Sequence, residues 1–141
     1  MAKFKVAGNT VVKSTDIGGS TRDMSSYVDT VDALGKEVDI LDVTSFADTA
    51  ERVIAGIQKS NAWKWQGFYD DTTTTGPDFV FGSLVGTFSN LEFHPAGTAS
   101  GRRKMTGSFL CVSYMPSTEV KGRVNYEVSW KLDGTLTVGT N

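Results

Sequence analysis

The most constraining feature of the sequence is a strict alternation of apolar and polar residues near its carboxyl end. Every second position of the segment 123–132 is apolar: Val124, Tyr126, Val128, Trp130 and Leu132. Because successive side chains of a strand point to opposite faces of a sheet, this period of two predicts a half-buried strand with one face in the core. Asp133 and Gly134 then predict a tight turn, after which Leu136 and Val138 resume the alternation, so we expect a short closing hairpin.

Further strands are predicted where β-branched and aromatic residues lie between turn residues. These segments are 4–12, 27–43 with a break near Gly35, 62–69, 88–93 and 105–114. Two other segments have helical spacing, namely 45–57 and 79–85, the second preceded by Pro77 at a favoured first helical position. The pattern therefore predicts a mainly β fold, a β-sandwich or partly closed barrel with one or two short flanking helices.

Length and composition narrow the class of protein. A chain of 141 residues fits one domain, 1–141, that buries about two thirds of the surface exposed by its unfolded form. The net charge of −2 argues against a protein that wraps nucleic acid, since such proteins carry a basic surface. Cys111 is the only cysteine, so neither an intrachain disulfide nor a cysteine-based zinc site is expected. We expect no cofactor, no metal, no signal sequence and no membrane partner.

Aromatic residues are concentrated in the segment 63–71, where Trp63, Trp65 and Tyr69 share one side of the predicted strand. An aromatic stripe of this kind is typical of a core or a protein interface. The alternative is a carbohydrate-binding β-sandwich module in which these three rings form a stacking surface for a sugar.

Catalytic chemistry has little support in the sequence. Asp70 and Asp71 are adjacent, so on an extended chain their carboxylates point to opposite faces and cannot flank one bond. Turn formation is the better role for both aspartates. His94, the only histidine, is expected at the surface or at a strand end. A hydrolase built on these three residues is therefore disfavoured, and we predict that the protein is not an enzyme.

Charges of opposite sign lie in different parts of the chain. The one basic run is Arg102, Arg103 and Lys104. The first third of the chain is locally acidic, with Glu37, Asp39, Asp42 and Asp48. The basic run is either a solvated loop or a contact with an acidic partner surface. Separated charges of this kind suit head-to-tail self-association, with both sets forming contacts between subunits.

A longer pattern of motifs runs through most of the chain. Its parts, in order, are EVDILDVTSFAD at 37–48, Arg52, IAG at 54–56, GFYDD at 67–71, FHPAG at 93–97, Gly101, Gly107, SY at 113–114 and the final alternating strand. Over about residues 23–139 this order resembles the major tail tube proteins of long-tailed, siphovirus-like bacteriophages. Ala47 departs from the pattern, which has glycine before the aspartate at this position.

The resemblance implies a structural subunit: a β-sandwich with a flanking helix that closes into hexameric rings, which stack into a hollow tube. Phage DNA passes through the tube, and a tape-measure protein sets its length. The other implied partners are a tail terminator and baseplate or tail-tip proteins. The implied location is the virion tail, assembled in the host cytoplasm.

In such proteins the connection corresponding to 44–62 reaches the adjacent ring. Here it offers apolar contacts through Phe46, Val53 and Ile54. Its polar contacts are Asp48, Glu51 and Arg52. The alternative for these residues is a small amphipathic helix packed on its own sheet.

Overall fold

Strands form most of the regular structure in residues 10–118 and 122–141, which are the residues that the computed structural model describes. They are β1 (Val11–Thr15), β2 (Thr21–Asp23), β3 (Val28–Val31), β4 (Glu37–Asp42), β5 (Val53–Lys59), β6 (Trp63–Phe68), β7 (Phe88–His94), β8 (Arg103–Ser117) and β9 (Asn125–Thr140). The same residues contain one α-helix, α1 (Pro77–Gly82), and a 3-10 turn at Ser25–Tyr27. The mainly β class with a short helix is thus confirmed.

Seven strands form one antiparallel sheet in the order β2-β1-β7-β8-β9-β6-β3. The strands β8 and β9 are long enough to belong to two halves of this sheet. Near its start β8 pairs with β7, whereas β9 pairs near its start with β6. The two long strands therefore connect a half containing β1, β2 and β7 to a half containing β3 and β6.

The sheet curls so that its two halves face each other. Three strand spacings separate β6 from β7, which in a flat sheet is about 14 Å. The ring of Trp63 on β6 nevertheless lies 5.6 Å from the ring of Phe93 on β7 and 5.4 Å from the ring of Phe109 on β8. The architecture is therefore a half-barrel, which agrees with the predicted partly closed barrel.

Aromatic side chains fill the space between the halves. The largest fully buried residues include Trp63, Trp65, Trp130, Tyr126, Phe81 and Phe109. As predicted, Tyr126, Val128 and Trp130 place the apolar face of β9 in this core. The helix α1 closes one side, because the ring of Phe81 lies 5.8 Å from those of both Trp65 and Trp130.

The predicted hairpin at Asp133 and Gly134 is wrong. β9 continues through both residues, and Gly134 adopts a φ of +82° inside the strand. The pairing with β8 passes from Thr106↔Thr137 to Ser108↔Asp133, so extra residues of β9 form a bulge. The chain does not reverse here because β8 is long enough to pair with β9 on both sides of the bulge.

The predicted helix at 45–57 is also wrong, because β5 occupies its second half and pairs with β4 in a separate two-stranded sheet. Gly56 disfavours a helix and suits the observed pairing, since a Cβ atom there would lie 3.1 Å from the carbonyl oxygen of Asp39. The other predicted helix is present as α1 and begins at Pro77. Of the predicted first strand, residues 4–9 lie outside the described residues.

Candidate assembly interface

The two-stranded sheet forms a separate arm, defined here as residues 37–59. Its strands pair from Glu37↔Lys59 to Asp42↔Val53, and no other described strand pairs with either of them. Every residue of β4 is exposed, and so is all of β5 except Gly56. The arm therefore contributes almost nothing to the core of its own subunit.

Large apolar side chains cover the arm. Those exposed to solvent are Val38, Ile40, Leu41, Val43, Phe46, Val53, Ile54 and Ile57. The extremes are Ile57, which is 79% exposed, and Phe46, whose exposure of 112% means that nothing covers it. A contiguous exposed apolar surface marks a site of protein interaction, because its burial in a complex is favourable.

Hydrogen bonds hold the tip of the arm in one conformation. The Asp48 carboxylate accepts hydrogen bonds from the backbone N–H of Ser45 at 2.8 Å and from its hydroxyl at 3.1 Å. The backbone N–H of Arg52 donates to the Thr44 hydroxyl at 2.9 Å. At the base of the tip, the Asp42 carboxylate accepts from the backbone N–H of Thr44, which lowers the pKa of Asp42. Phe46 is thus presented on an ordered loop.

We predict that Asp48→Ala loosens this tip without affecting the core. Each lost hydrogen bond contributes about 0.5–1.5 kcal/mol, so the backbone amide of Ser45 is expected to lose protection from hydrogen exchange. Thermal unfolding of the purified subunit is expected to remain unchanged. Glu51→Ala is the matched control, because Glu51 is an exposed acid of the same tip. Unchanged exchange at Ser45 in Asp48→Ala would contradict the role of the carboxylate.

The structure brings all six residues of the predicted contact loop into this arm. Phe46, Val53 and Ile54 are exposed apolar residues. Asp48 and Arg52 form an ion pair at 3.7 Å, and Glu51 is exposed. The predicted alternative, an amphipathic helix packed on its own sheet, is wrong because the segment is an exposed hairpin.

The predicted charge contacts lie on two different elements. Glu37, Asp39 and Asp42 belong to β4. Asp39 already accepts a hydrogen bond from Lys59 across the arm at 2.7 Å, which raises the pKa of Lys59. The basic run lies at the start of β8, where Arg102 and Arg103 are exposed and Lys104 is half-buried.

The predicted stacking surface for a sugar does not exist. Trp63 and Trp65 are fully buried, and the indole N–H of Trp63 donates to the backbone carbonyl of Asp32 at 2.8 Å. Tyr69 is half-buried, and burial raises the pKa of its hydroxyl. The two indoles therefore belong to the core, as their spacing on the strand favoured.

The residues of the disfavoured hydrolase are not brought together. Asp70 follows β6 and has the predicted turn role, because its carboxylate accepts from the Thr72 hydroxyl at 2.6 Å and from the Thr72 backbone at 2.8 Å. These bonds lower the pKa of Asp70. His94 ends β7 beside Phe93, whose ring packs on Trp63 at the end of β6 that is far from Asp70.

Within 10–118 and 122–141, no three His, Cys, Asp or Glu side chains are grouped to hold a metal, and no helix has the length and hydropathy to span a bilayer.

His94 is at a strand end as expected, but it is buried rather than at the surface. Loss of hydration lowers the pKa of its imidazole from 6.5, an effect that Lys13 and Lys104 reinforce and Glu92 opposes. Below pH 6.5 the unfolded chain therefore binds a proton that the folded protein disfavours. The folded state is most stable above that pH and loses stability as the pH falls through the lowered pKa.

We therefore predict that the free energy of unfolding decreases as the pH is lowered from about 6.5, by at most about 1.4 kcal/mol per pH unit. His94 is the only histidine, so no other imidazole contributes to this change. Urea titrations at several pH values measure the effect, and His94→Gln is expected to remove most of it. The same pH dependence in His94→Gln would show that another group is responsible.

Both borders of the half-sheet β8-β9-β6-β3 are unpaired within the described residues, and no local sequence pattern indicates either. Residues 112–117 of β8 pair with β9 on one side only, because β7 pairs with the earlier part of β8. At the other border of the same half-sheet, β3 pairs with β6 alone. Exposed apolar residues, Val112 and Met115, accompany the β8 edge. An edge of this kind is available for pairing with another chain.

Solved structures with the same architecture identify this fold. A chain in the six-fold symmetrised baseplate of the anti-feeding prophage superimposes with a TM-score of 0.76 at 8% identity, over 98% of this chain and 97% of that one. A chain in the tail of the empty gene transfer agent particle, refined with C6 symmetry, superimposes with a TM-score of 0.69 at 16% identity, over 94% of this chain and 97% of that one. A chain of the SPP1 tail tube superimposes with a TM-score of 0.69 at 12% identity, over 97% of this chain and 80% of that one.

The chain has the tail tube fold. The resemblance seen in the sequence is thereby confirmed at the level of the fold. The sequence itself matches no protein-family model and no curated protein. Structural similarity at such low identity therefore reflects the tail tube fold alone.

Proposed function

We propose that this protein is a non-enzymatic structural subunit, one domain spanning 1–141, that assembles into stacked hexameric rings forming a hollow tail tube. The observation that carries the proposal is the arm: a subunit with the tail tube fold exposes an apolar hairpin that its own core does not use. Solvent contact at these side chains is unfavourable in the free subunit, and burial against further copies removes it.

Ring closure has a geometrical basis in the two unpaired edges. Across the half-sheet β8-β9-β6-β3 each strand is antiparallel to the next, so β3 is antiparallel to β8. Rotation about a ring axis preserves strand direction along that axis. The edge of β3 in one subunit can therefore pair with residues 112–117 of the next subunit in the common antiparallel arrangement. Repeated around the ring, this pairing leaves neither edge open.

The arm is the contact between rings in this proposal. Phe46, Val53 and Ile54 supply apolar area, and Glu51 supplies charge at the tip. The internal bonds of Asp48 and Arg52 hold the tip in shape before contact. The tip is thereby ordered in advance, which lowers the entropy lost on association.

The remaining parts of the proposal concern the assembled tail. DNA passes through the tube, and six copies that each carry a net charge of −2 repel its phosphates rather than bind them. The partners are a tape-measure protein, a tail terminator and baseplate or tail-tip proteins. The location is the virion tail, with assembly in the host cytoplasm.

Electron microscopy of the purified protein at increasing concentration tests the proposal. Hollow tubes with a ring repeat and six-fold symmetry are the expected result, and sedimentation velocity is expected to show monomers giving way to large assemblies. Particles that stay monomeric at every concentration, including after addition of tail initiator proteins, would refute it.

A further inference from the structure

A small apolar cavity lies at the end of the subunit where β7 leads into β8. It has a volume of about 320 Å³ and is lined by Pro95, Ala96, Gly101, Arg102 and Arg103. The surface that lines it is mainly apolar, although Arg102 and Arg103 form part of this lining. Within one subunit, neither the ring edges nor the exposed Phe46 of the arm occupies this cavity.

The walls of the cavity are fixed by bonds to Asn141. The side-chain amide of Asn141 donates to the carbonyl of Gly97 at 3.2 Å and to that of Arg102 at 3.1 Å. The backbone N–H of Asn141 also donates to the Arg102 carbonyl at 2.8 Å, and the backbone N–H of Gly101 donates to the Asn141 carbonyl at 3.0 Å. The loop is held on both sides, so the cavity exists before any ligand arrives.

The tip of the arm has the matching shape. Phe46 is uncovered at the end of an ordered loop, so it does not occupy the cavity of its own subunit. A benzene ring fits an apolar protein cavity of about 150 Å³. The cavity of about 320 Å³ is open to solvent on one side and has room for the phenyl ring of Phe46.

The charges are complementary as well. The tip at 42–52 carries three acids, Asp42, Asp48 and Glu51, against one cation, Arg52, which pairs with Asp48. The cavity is bordered by Arg102 and Arg103, and Lys104 follows them on β8. An acidic loop is attracted to such a border, which favours one orientation of the aromatic ring.

We propose that Phe46 of one subunit inserts into the cavity at Pro95 and Ala96 of a second copy, with the acidic tip facing Arg102 and Arg103. The inference rests on the proposed function, because it names the surface that receives the arm. It also assigns a role to the basic run that is separate from ring closure by the sheet edges.

Cross-linking between two variants tests the contact. Ala47→Cys, an exposed position beside Phe46 that leaves the phenyl ring in place, and Ala96→Cys are purified separately, mixed under assembly conditions and treated with a short bifunctional maleimide. The mixture is expected to give at least about tenfold more cross-linked heterodimer than a control mixture of Ala47→Cys with Thr73→Cys, an exposed position in another loop. The native Cys111 does not interfere, because it is buried and its pKa is raised to about 11.

The outcomes separate the contact from the proposed function. Tubes without cross-linking above the control would overturn the contact and leave the tube subunit intact. Cross-linking without tubes would support the contact and refute the proposed function as a tube-forming subunit. Neither tubes nor cross-linking would overturn both.

Charge reversal provides a second test that keeps Phe46 in place. Glu51→Arg and Arg103→Glu are each expected to raise the concentration needed for assembly at least about tenfold, and the double variant is expected to restore most of the loss. Two single variants with no effect would overturn the proposed orientation of the tip.

Discussion

Val128→Asp is expected to leave no folded protein in solution. Val128 is fully buried on β9, in register with Trp65 on β6 and Tyr114 on β8. Aspartate removes about 1.5–3 kcal/mol of apolar burial and places an unpaired carboxylate in the core at a further cost of about 3–5 kcal/mol. The sum approaches the whole stability of a typical domain, which is about 5–15 kcal/mol.

Circular dichroism and the soluble yield after expression measure this effect. Val138→Asp is the matched control, since it makes the same change on the same strand at an exposed position, and we expect it to fold. A cooperative thermal transition in Val128→Asp close to that of the wild type would contradict the assignment of the core face of β9.

Phe46→Ser is expected to raise the concentration needed for tube formation while the subunit folds normally. The side chain is fully exposed in the subunit, so its removal takes nothing from the core. Burying a phenylalanine between copies contributes about 1.5–3 kcal/mol, and each 1.4 kcal/mol corresponds to about a factor of ten in affinity. The concentration at which tubes appear is therefore expected to rise about 10- to 100-fold.

Light scattering against concentration measures that threshold, and thermal unfolding of the monomer provides the folding control. Phe46→Leu keeps an apolar side chain at the same position and is expected to assemble at a concentration much nearer that of the wild type. If Phe46→Ser forms tubes at the same concentration as the wild type, Phe46 makes no contact that stabilises the tube.

The sequence predicted the parts of the fold that local patterns determine. Alternation placed Val128 and Trp130 in the core, because a period of two leaves only one face of a strand to bury. Pro77 correctly marked the start of α1, since its fixed φ and missing N–H suit the first helical turn. Asp70 accepts the local hydrogen bonds that a short acidic side chain offers in a turn.

Features set by distant contacts were not predicted. Phe46, Val53 and Ile57 have a spacing that a helix also satisfies, and only the pairing of β5 with β4 decides in favour of an exposed hairpin. The bulge at Gly134 depends on how far β8 extends, which local residues do not encode. The burial of His94 likewise depends on the surrounding tertiary structure.

The candidate site was predicted in part for the same reason. The six residues of the predicted contact loop lie together on the arm, although the predicted helical conformation was wrong, and their contact with another ring stays a prediction. The open edges of β3 and β8 appear only when strand lengths across the whole sheet are compared. The sequence named Arg102 and Arg103 as charges, but it gave no sign of the cavity that they border.

The two long strands, β8 and β9, also determine how the subunit unfolds. β8 and β9, with 15 and 16 residues, extend through both halves of the sheet. Because both halves share these strands, one half cannot unfold while the other stays folded. We therefore expect the backbone amides of both halves to exchange with solvent through global unfolding. The arm at 37–59 is exposed, so we expect its amides to exchange through a local opening of much lower free energy. We therefore expect two levels of protection from hydrogen exchange in a free subunit, high in the sheet and low in the arm. Covering the arm with other copies is expected to raise the protection of its amides and so to reduce the difference.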